Sequence, residues 1–198
     1  SPASTGSSNQ NWPDVSGGFV VYADDRNGNW DIYMLRIFDG KEYAICTNSA
    51  DQTFPVITGK FGSKLVIAYM DERDGKNIYV NYPFFVGEDD PFEYELDLDP
   101  YPVISFQSYP HFEDKQIVYQ DLYPVSDGVT NSIWAYQLKY SYPGNSDEIK
   151  LISSKSQINQ TRPRTSKGNI VWEYDKVTDS DIYAWKRPPG SDLQLSLT

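Results

Sequence analysis

Gln10-Asn11-Trp12-Pro13-Asp14-Val15-Ser16-Gly17-Gly18-Phe19-Val20-Val21-Tyr22-Ala23-Asp24-Asp25-Arg26-Asn27-Gly28-Asn29-Trp30-Asp31-Ile32-Tyr33 contains one complete cycle of a phrase that the chain uses four times. The cycle is a Gln, a Pro three residues on, a turn, a β-rich run ending in an aromatic, and an acidic turn. Its opening returns as Gln52-Thr53-Phe54-Pro55, Gln107-Ser108-Tyr109-Pro110 and Gln160-Thr161-Arg162-Pro163. The β-rich runs are Val20-Val21-Tyr22, Val66-Ile67-Ala68-Tyr69, Ile117-Val118-Tyr119 and Ile170-Val171-Trp172. A period of about 40 to 55 residues is the signature of blades or solenoid turns, in which each copy buries its apolar face against the next.

Inside the first copy, Pro13 to Ser16 reads as a strand, Gly17-Gly18 as a turn and Phe19 to Ala23 as the second strand. Asn27-Gly28 supplies the two positive φ angles of a type I′ hairpin. Ile32 to Ile37 returns, Asp39-Gly40 turns again, and Tyr43 to Ile45 closes a four-stranded antiparallel meander. The second copy repeats the order through Gly59, Leu65 to Tyr69, Asp74-Gly75, Ile78 to Asn81 and Tyr94 to Leu98, with Gly87 to Pro91 inserted. The third carries an insertion at Leu122 to Thr130 and a loop at Tyr142 to Asp147. The fourth runs through Ile170 to Glu173, Ile182 to Trp185 and Leu193 to Leu197.

The expectation is an all-β, four-bladed β-propeller, each blade a four-stranded antiparallel meander, with blades at 10–47, 52–99, 107–153 and 160–198. One such sheet has too little core to stand alone, so the copies must stack face to face. Two closures are open: a four-bladed ring, which the 198 residues favour, or a part of a larger propeller. Residues 1–9, small and polar, read as a flexible segment, a linker or a processed terminus, and processing favours export.

The formal charge of −11 disfavours nucleic acid and anionic membrane surfaces as partners, since both reward clustered Lys and Arg. No apolar run is long enough for membrane insertion as a helix. The single Cys46 excludes an internal disulfide, and beside Ile45 it reads as a small buried apolar residue. His111, the one histidine, follows Pro110 in a first strand and reads as a packed or rim residue. Catalysis therefore has little to stand on, and the chain is expected not to be an enzyme; a hydrolase or lyase remains the minor alternative.

The run Val21-Tyr22-Ala23-Asp24-Asp25-Arg26-Asn27-Gly28-Asn29-Trp30-Asp31-Ile32-Tyr33 after Gln-x-x-Pro resembles the TolB-like β-propeller repeat of bacterial periplasmic and archaeal surface proteins. Asp24 and Arg26 match Asp71 and Arg73, and Asp31-Ile32-Tyr33 matches Asn77-Ile78-Tyr79. The third copy keeps Asp121 without the Arg; the fourth has Tyr174 at the acid's place, unless Asp175 serves after a one-residue slip. The resemblance implies the propeller fold and a recurrent structural Asp–Arg pair. It also implies a blade count larger than four.

Four residue sets are candidates for function. Asp25, Asn27, Asn29 and Asp31 place oxygens at alternate positions, as a calcium loop does, although Trp30 and Arg36 stand where a helical-hand loop needs Gly and Glu. The structural alternative is a hairpin held by Asp24 and Arg26. Glu88 to Asp90, with Glu93, Glu95, Asp97 and Asp99, reads as a solvated acidic face. Trp12, Trp30, Trp134 and Trp185 are less regular than the repeated Tyr22, Tyr69, Tyr119 and Trp172, which belong to the core; the four tryptophans are the candidates for a partner or a sugar ring. Asn159-Gln160-Thr161 is a glycosylation sequon.

These features predict a non-catalytic module, extracellular, at the cell surface or in the periplasm. It would present loops such as Tyr82 to Asp90, Leu122 to Thr130 and Tyr142 to Asp147 to a protein partner or to copies of itself. The outer strand Leu193 to Leu197 is a candidate for edge-to-edge pairing. A carbohydrate-binding propeller is the alternative. No cofactor is expected, apart from the calcium candidate.

Overall fold

The computed structural model describes residues 7–59, 65–83, 95–97, 106–113, 116–125, 128–137, 148–156, 159–175 and 180–186. These form fifteen strands and no helix. The first sheet contains β1 (Gln10–Ser16), β2 (Phe19–Asp24), β3 (Asp31–Arg36) and β4 (Glu42–Cys46). The second contains β5 (Gln52–Thr58), β6 (Val66–Asp71), β7 (Asn77–Asn81) and β8 (Glu95–Asp97). The third contains β9 (Phe106–Glu113), β10 (Gln116–Val125), β11 (Gly128–Gln137) and β12 (Glu148–Ser156), and the fourth β13 (Asn159–Ser166), β14 (Asn169–Asp175) and β15 (Ser180–Trp185). All pairings are antiparallel between sequence neighbours, as a meander requires. The fourth strand expected at Leu193 to Leu197 lies outside the described residues, as do Glu88 to Asp90 and Tyr142 to Asp147. The chain divides into two compact units, Ser1–Leu98 and Asp99–Thr198, with two sheets in each.

The Gln-x-x-Pro phrase has one structural meaning in all four copies. In the first sheet Asn11 faces Ala23 and Asp14 faces Val21, so Trp12 and Pro13 together face Tyr22. The same two-against-one count sets Phe54-Pro55 against Tyr69, Tyr109-Pro110 against Tyr119, and Arg162-Pro163 against Trp172. This is a β-bulge, and its extra residue carries the left-handed backbone: φ is 51° at Trp12, 53° at Phe54, 52° at Tyr109 and 51° at Arg162. Pro suits the bulge because it lacks the N–H that the ladder leaves unpaired there.

Alternation sorts each sheet into two faces. The front face carries the aromatic that opposes the bulge; the back face carries the residues between. In unit 1 the back face of the first sheet (Phe19, Val21, Ala23, Ile32, Met34) packs on the front face of the second (Ile57, Ile67, Tyr69, Tyr79). In unit 2 the back face of the third sheet (Val118, Ile133, Ala135) packs on the front face of the fourth (Ile170, Trp172, Trp185). The repeated Tyr22, Tyr69, Tyr119 and Trp172 are all buried, as the sequence pattern requires.

Each packed pair is latched through the residue after the bulge proline. Asp14 Oδ2 accepts the Ile57 N–H at 2.8 Å, and His111 Nδ1 accepts the Thr165 N–H at 3.1 Å. His111 is thus a half-buried acceptor between sheets, in keeping with a packed residue. Leu122 to Thr130 is not an inserted loop: β10 and β11 stay paired from Leu122 opposite Asn131 to Val125 opposite Gly128. The third copy has no Arg at this place because its hairpin does not turn after Asp121 but runs on for four more pairs.

Candidate functional site

The end of the first hairpin gathers the polar residues of the repeat. Asp24 is fully buried and faces Asp31 across β2 and β3. Its Oδ2 accepts from the Arg26 guanidinium at 2.6 Å and from the Gln10 amide at 2.9 Å, and its Oδ1 accepts the Arg26 N–H at 2.8 Å. Arg26 also donates to Glu42 at 2.5 Å and lies 4.0 Å above the Tyr33 ring, while the Tyr22 hydroxyl donates to Glu42. Burial pushes the Asp24 carboxyl up, but the Arg26 guanidinium and then the Gln10 amide outweigh it and hold the group at about 2. Burial and then the hydrogen bond to Glu42 raise the Tyr22 phenol.

The second sheet repeats the design with one substitution of partner. Arg73 binds the buried Asp71 through its N–H at 2.8 Å and its guanidinium at 2.6 Å, and stacks 4.4 Å from Tyr79. In place of a glutamate the guanidinium meets the Cys46 thiol at 3.2 Å, and Asn48 bonds both Cys46 and Asp71. Cys46 is only half-buried and sits beside charge, which corrects the expectation of a plain buried apolar residue. In the third sheet Asp121 is buried opposite Gln107 and Ser132. The fourth resolves the slip: Tyr174 faces Gln160, whereas Asp175 faces Asn159 and accepts from its amide at 3.3 Å. That second pairing repeats Asn9 on Asp25, so residue 9, within the expected flexible segment, is tied to the fold at 2.8 Å by its N–H and at 2.6 Å by its amide.

The calcium candidates do not converge. Asp25 is turned to Asn9, while Asp31 accepts from the Asn27 amide at 2.6 Å and the Asn29 amide at 3.1 Å. Asn29 donates also to the carbonyls of Asn48 and Ala50, at 2.9 Å and 2.7 Å. Amide nitrogens therefore stand where a cation would need oxygens. Burial raises the Asp31 carboxyl despite these donors, and the nearby Asp24 charge adds to the rise. Among the described residues no group of three or more His, Cys, Asp or Glu is placed to hold a metal.

The tryptophans separate into two kinds. Trp134 and Trp185 are buried, Trp134 opposite Tyr119 and Trp185 in the core between β14 and its neighbours. Trp12 and Trp30 are half-buried with ring centroids 5.2 Å apart, and Trp12 lies 4.7 Å from Phe54. Two of these three rings, Trp12 and Phe54, stand on the left-handed residues of consecutive bulges. Phe54 was legible as a partner only by equivalence to Trp12 in the repeat. Asn159 is exposed at the start of β13.

No family model and no curated protein sequence matches the chain. Among solved structures it is similar to TolB from Acinetobacter baumannii, at 14% identity and a TM-score of 0.57, over 87% of this chain and 39% of that one. An acylaminoacyl peptidase from Pyrococcus horikoshii aligns at 9% identity over 90% of this chain and 44% of that one, with a TM-score of 0.24, which carries no argument. The chain thus spans less than half the length of either protein. The likeness to TolB, with the repeated antiparallel sheets, shows a TolB-like β-propeller fold.

Proposed function

We propose that the chain is a four-bladed, non-catalytic recognition module of the TolB-like propeller type, acting outside the cytoplasm on a protein partner or on copies of itself. The observation that carries the reading is the series Trp12, Phe54, Tyr109 and Arg162. One backbone geometry, φ between 51° and 53°, presents four different side chains. Arg162 adopts it as well as Trp12 does, so the backbone does not demand an aromatic. Trp, Phe, Tyr and Arg are the residue types enriched in protein interfaces. A non-glycine residue in this region costs of order 1–3 kcal/mol and is held where the surrounding structure fixes it, often at a site of recognition.

The polar clusters support the same reading. Arg26 is shared by Asp24 and Glu42, and Arg73 is held by Asp71, so these charged groups are engaged with one another, which suits a scaffold better than a proton-transfer site. The half-buried Trp12, Trp30 and Phe54 offer a rigid apolar surface at little entropic cost on binding. Exposed Asn159 is compatible with modification of an exported protein.

The test compares the wild-type chain with Trp12→Ala and Phe54→Ala, in affinity capture from an envelope fraction of its source and on a glycan array. The reading expects one protein to be enriched by the wild type and lost with either variant, with no saturable glycan signal. A glycan bound by the wild type and lost with Trp12→Ala would instead establish the carbohydrate-binding alternative, and an unchanged protein set would remove the aromatic series from recognition.

A further inference from the structure

Within each compact unit the two sheets are joined by the same device, with a different acceptor. β5 and β13 are the first strands of their sheets and pair on one side only, so each carries backbone N–H groups on an open edge. Two residues after the bulge proline, that edge meets the preceding sheet of its own unit. The Ile57 N–H donates to Asp14 Oδ2 at 2.8 Å, and the Thr165 N–H donates to His111 Nδ1 at 3.1 Å. Asp14 and His111 are equivalent residues, each directly after its bulge proline. The acceptor matters because a buried N–H without one costs the folded state its desolvation, and Thr165 is 3% exposed.

The two acceptors respond differently to acid. A carboxyl group keeps an acceptor oxygen whether or not it is protonated. Nδ1 of an imidazole accepts only while the ring is neutral with its proton on Nε2; in the imidazolium both nitrogens donate. Protonated His111 would set a ring N–H against the Thr165 N–H. We propose that the joint between the third and fourth sheets is an acid-sensitive latch, held by neutral His111 and released when the ring takes up a proton, while the Asp14 joint of unit 1 stays closed. The latch stands independently of the aromatic series at the bulges.

Among the described residues, two strands pack against β9 and its His111. β10 sets Val118 opposite the histidine, with the neutral Gln116 and Gln120 beside it in alternation, while Tyr119 and Asp121 fall on the other face. β13 brings Thr165 and, next to it, the exposed Arg164, whose guanidinium donates to the Pro163 carbonyl at 2.9 Å; Arg162, farther along, is paired with Glu173. On β9 itself Glu113 stands two residues from His111, and its Oε1 accepts the Ser166 hydroxyl at 3.2 Å. Glu113 favours the imidazolium and Arg164 opposes it, so the direction is set by the N–H that faces the ring. Folding thereby favours the neutral ring. The latch's contribution is complete above the ordinary histidine range, about 6.5, and is lost as the pH falls below it. The Thr165 hydroxyl also donates to Gln116 Oε1 at 2.5 Å, a bond with no titrating partner, so acid frees the backbone of the joint without parting the sheets.

The test is amide hydrogen exchange of the wild-type chain, followed by NMR from about pH 7.5 to about pH 5.5, with the His111 ring titration read in the same samples. His111 is the only histidine, so its ring resonances are unambiguous. Protection factors remove the intrinsic pH dependence of exchange. Thr165 is expected to lose about tenfold in protection with the midpoint of the ring titration, and Ile57 to lose none. His111→Asn, whose amide oxygen accepts at any pH, is expected to keep Thr165 protected throughout, and the wild-type comparison of Thr165 with Ile57 stands without it. A ring that titrates with no change at Thr165 overturns the proposal, as does a ring that stays neutral over the whole range. A loss shared equally by Thr165 and Ile57 marks unfolding of the whole chain and overturns it as well. So does a folded His111→Asn chain in which Thr165 keeps the wild-type pH dependence.

Discussion

Replacing Asp24 by Asn removes the charge at the centre of the first hairpin. The carboxyl is fully buried and accepts from Arg26 twice and from Gln10 once. Burial alone would raise its pKa, but the bonds from Arg26 and Gln10 outweigh that and bring it from 3.8 to about 2. The drop corresponds to about 2 kcal/mol of folding stability at neutral pH. The group's pKa is depressed in the folded state, so this contribution is complete above about 4, where the unfolded chain is also ionised. It is lost as the pH falls toward 2. The amide of the Asp24→Asn variant would offer one acceptor oxygen to three donors, and its own N–H groups would face Arg26 or Gln10.

The assay is urea unfolding of the wild type and Asp24→Asn between pH 7 and pH 2, followed by fluorescence of Trp12 and Trp30 in the same unit. Asp24→Asn should be less stable by about 2 kcal/mol at pH 7, with the gap closing between pH 4 and pH 2. A gap that stays constant over that range would refute the assignment of the stabilisation to the carboxylate's charge, and a gap under about 0.5 kcal/mol at pH 7 would put the ion pair in the class of weak surface pairs.

Asp31→Asn should have the opposite sign. Burial raises this carboxyl, so its ionised form opposes folding, and stability is lost as the pH rises through the raised value. Asn77 already occupies the equivalent place in the second copy, and the variant should match or exceed the wild type at pH 7 while losing its advantage in acid, read by melting temperature against pH. His111→Ala should cost about 1–3 kcal/mol by leaving the Thr165 N–H without its acceptor, and His111→Asn, which can accept, should recover part of it in the same urea assay. Lys167 and Gly168 form the two-residue turn between β13 and β14 with φ of 50° and 78°, where the first copy has Gly17 and Gly18. Lys167→Gly relieves a left-handed side-chain residue on an exposed turn and should stabilise unit 2 by about 1 kcal/mol, measured as a shift in its unfolding midpoint.

Most of the architecture was legible because alternation, Gly and Asn turns and a repeated phrase all encode the same meander. Gly17-Gly18 placed its two-residue hairpin, and the repeated Tyr22, Tyr69, Tyr119 and Trp172 marked a buried face; Asn27-Gly28 marked the next connection but not its form, since β2 and β3 are joined by the longer loop 25–30, in which Gly28 and not Asn27 has positive φ. What the phrase Gln-x-x-Pro meant was not legible. Its left-handed residue before the proline belongs to a bulge, whose register depends on the partner strand. Leu122 to Thr130 reads as an inserted loop because the third hairpin's length is set by cross-strand pairing, which turn residues do not encode. The candidate site was legible by halves. Trp12 stands on the bulge of β1 and Trp30 in the connection before β3, where their rings meet, whereas Trp134 and Trp185 lie within β11 and β15 on buried faces of their sheets. Glu42 and Cys46, which complete the two Asp–Arg clusters, carry no motif, since both arrive from the last strand of the first sheet.

The central claim is that four copies of one phrase build four equivalent sheets, because that equivalence underlies the recognition series. It is tested most directly by NMR at Trp12, Phe54, Tyr109 and Arg162 through intraresidue HN–Hα distances, which are short for positive φ and long for extended backbone. The account predicts the short distance at all four residues, with nuclear Overhauser contacts from each following proline to Tyr22, Tyr69, Tyr119 or Trp172 across the strand. Extended backbone at two or more of the four would contradict it.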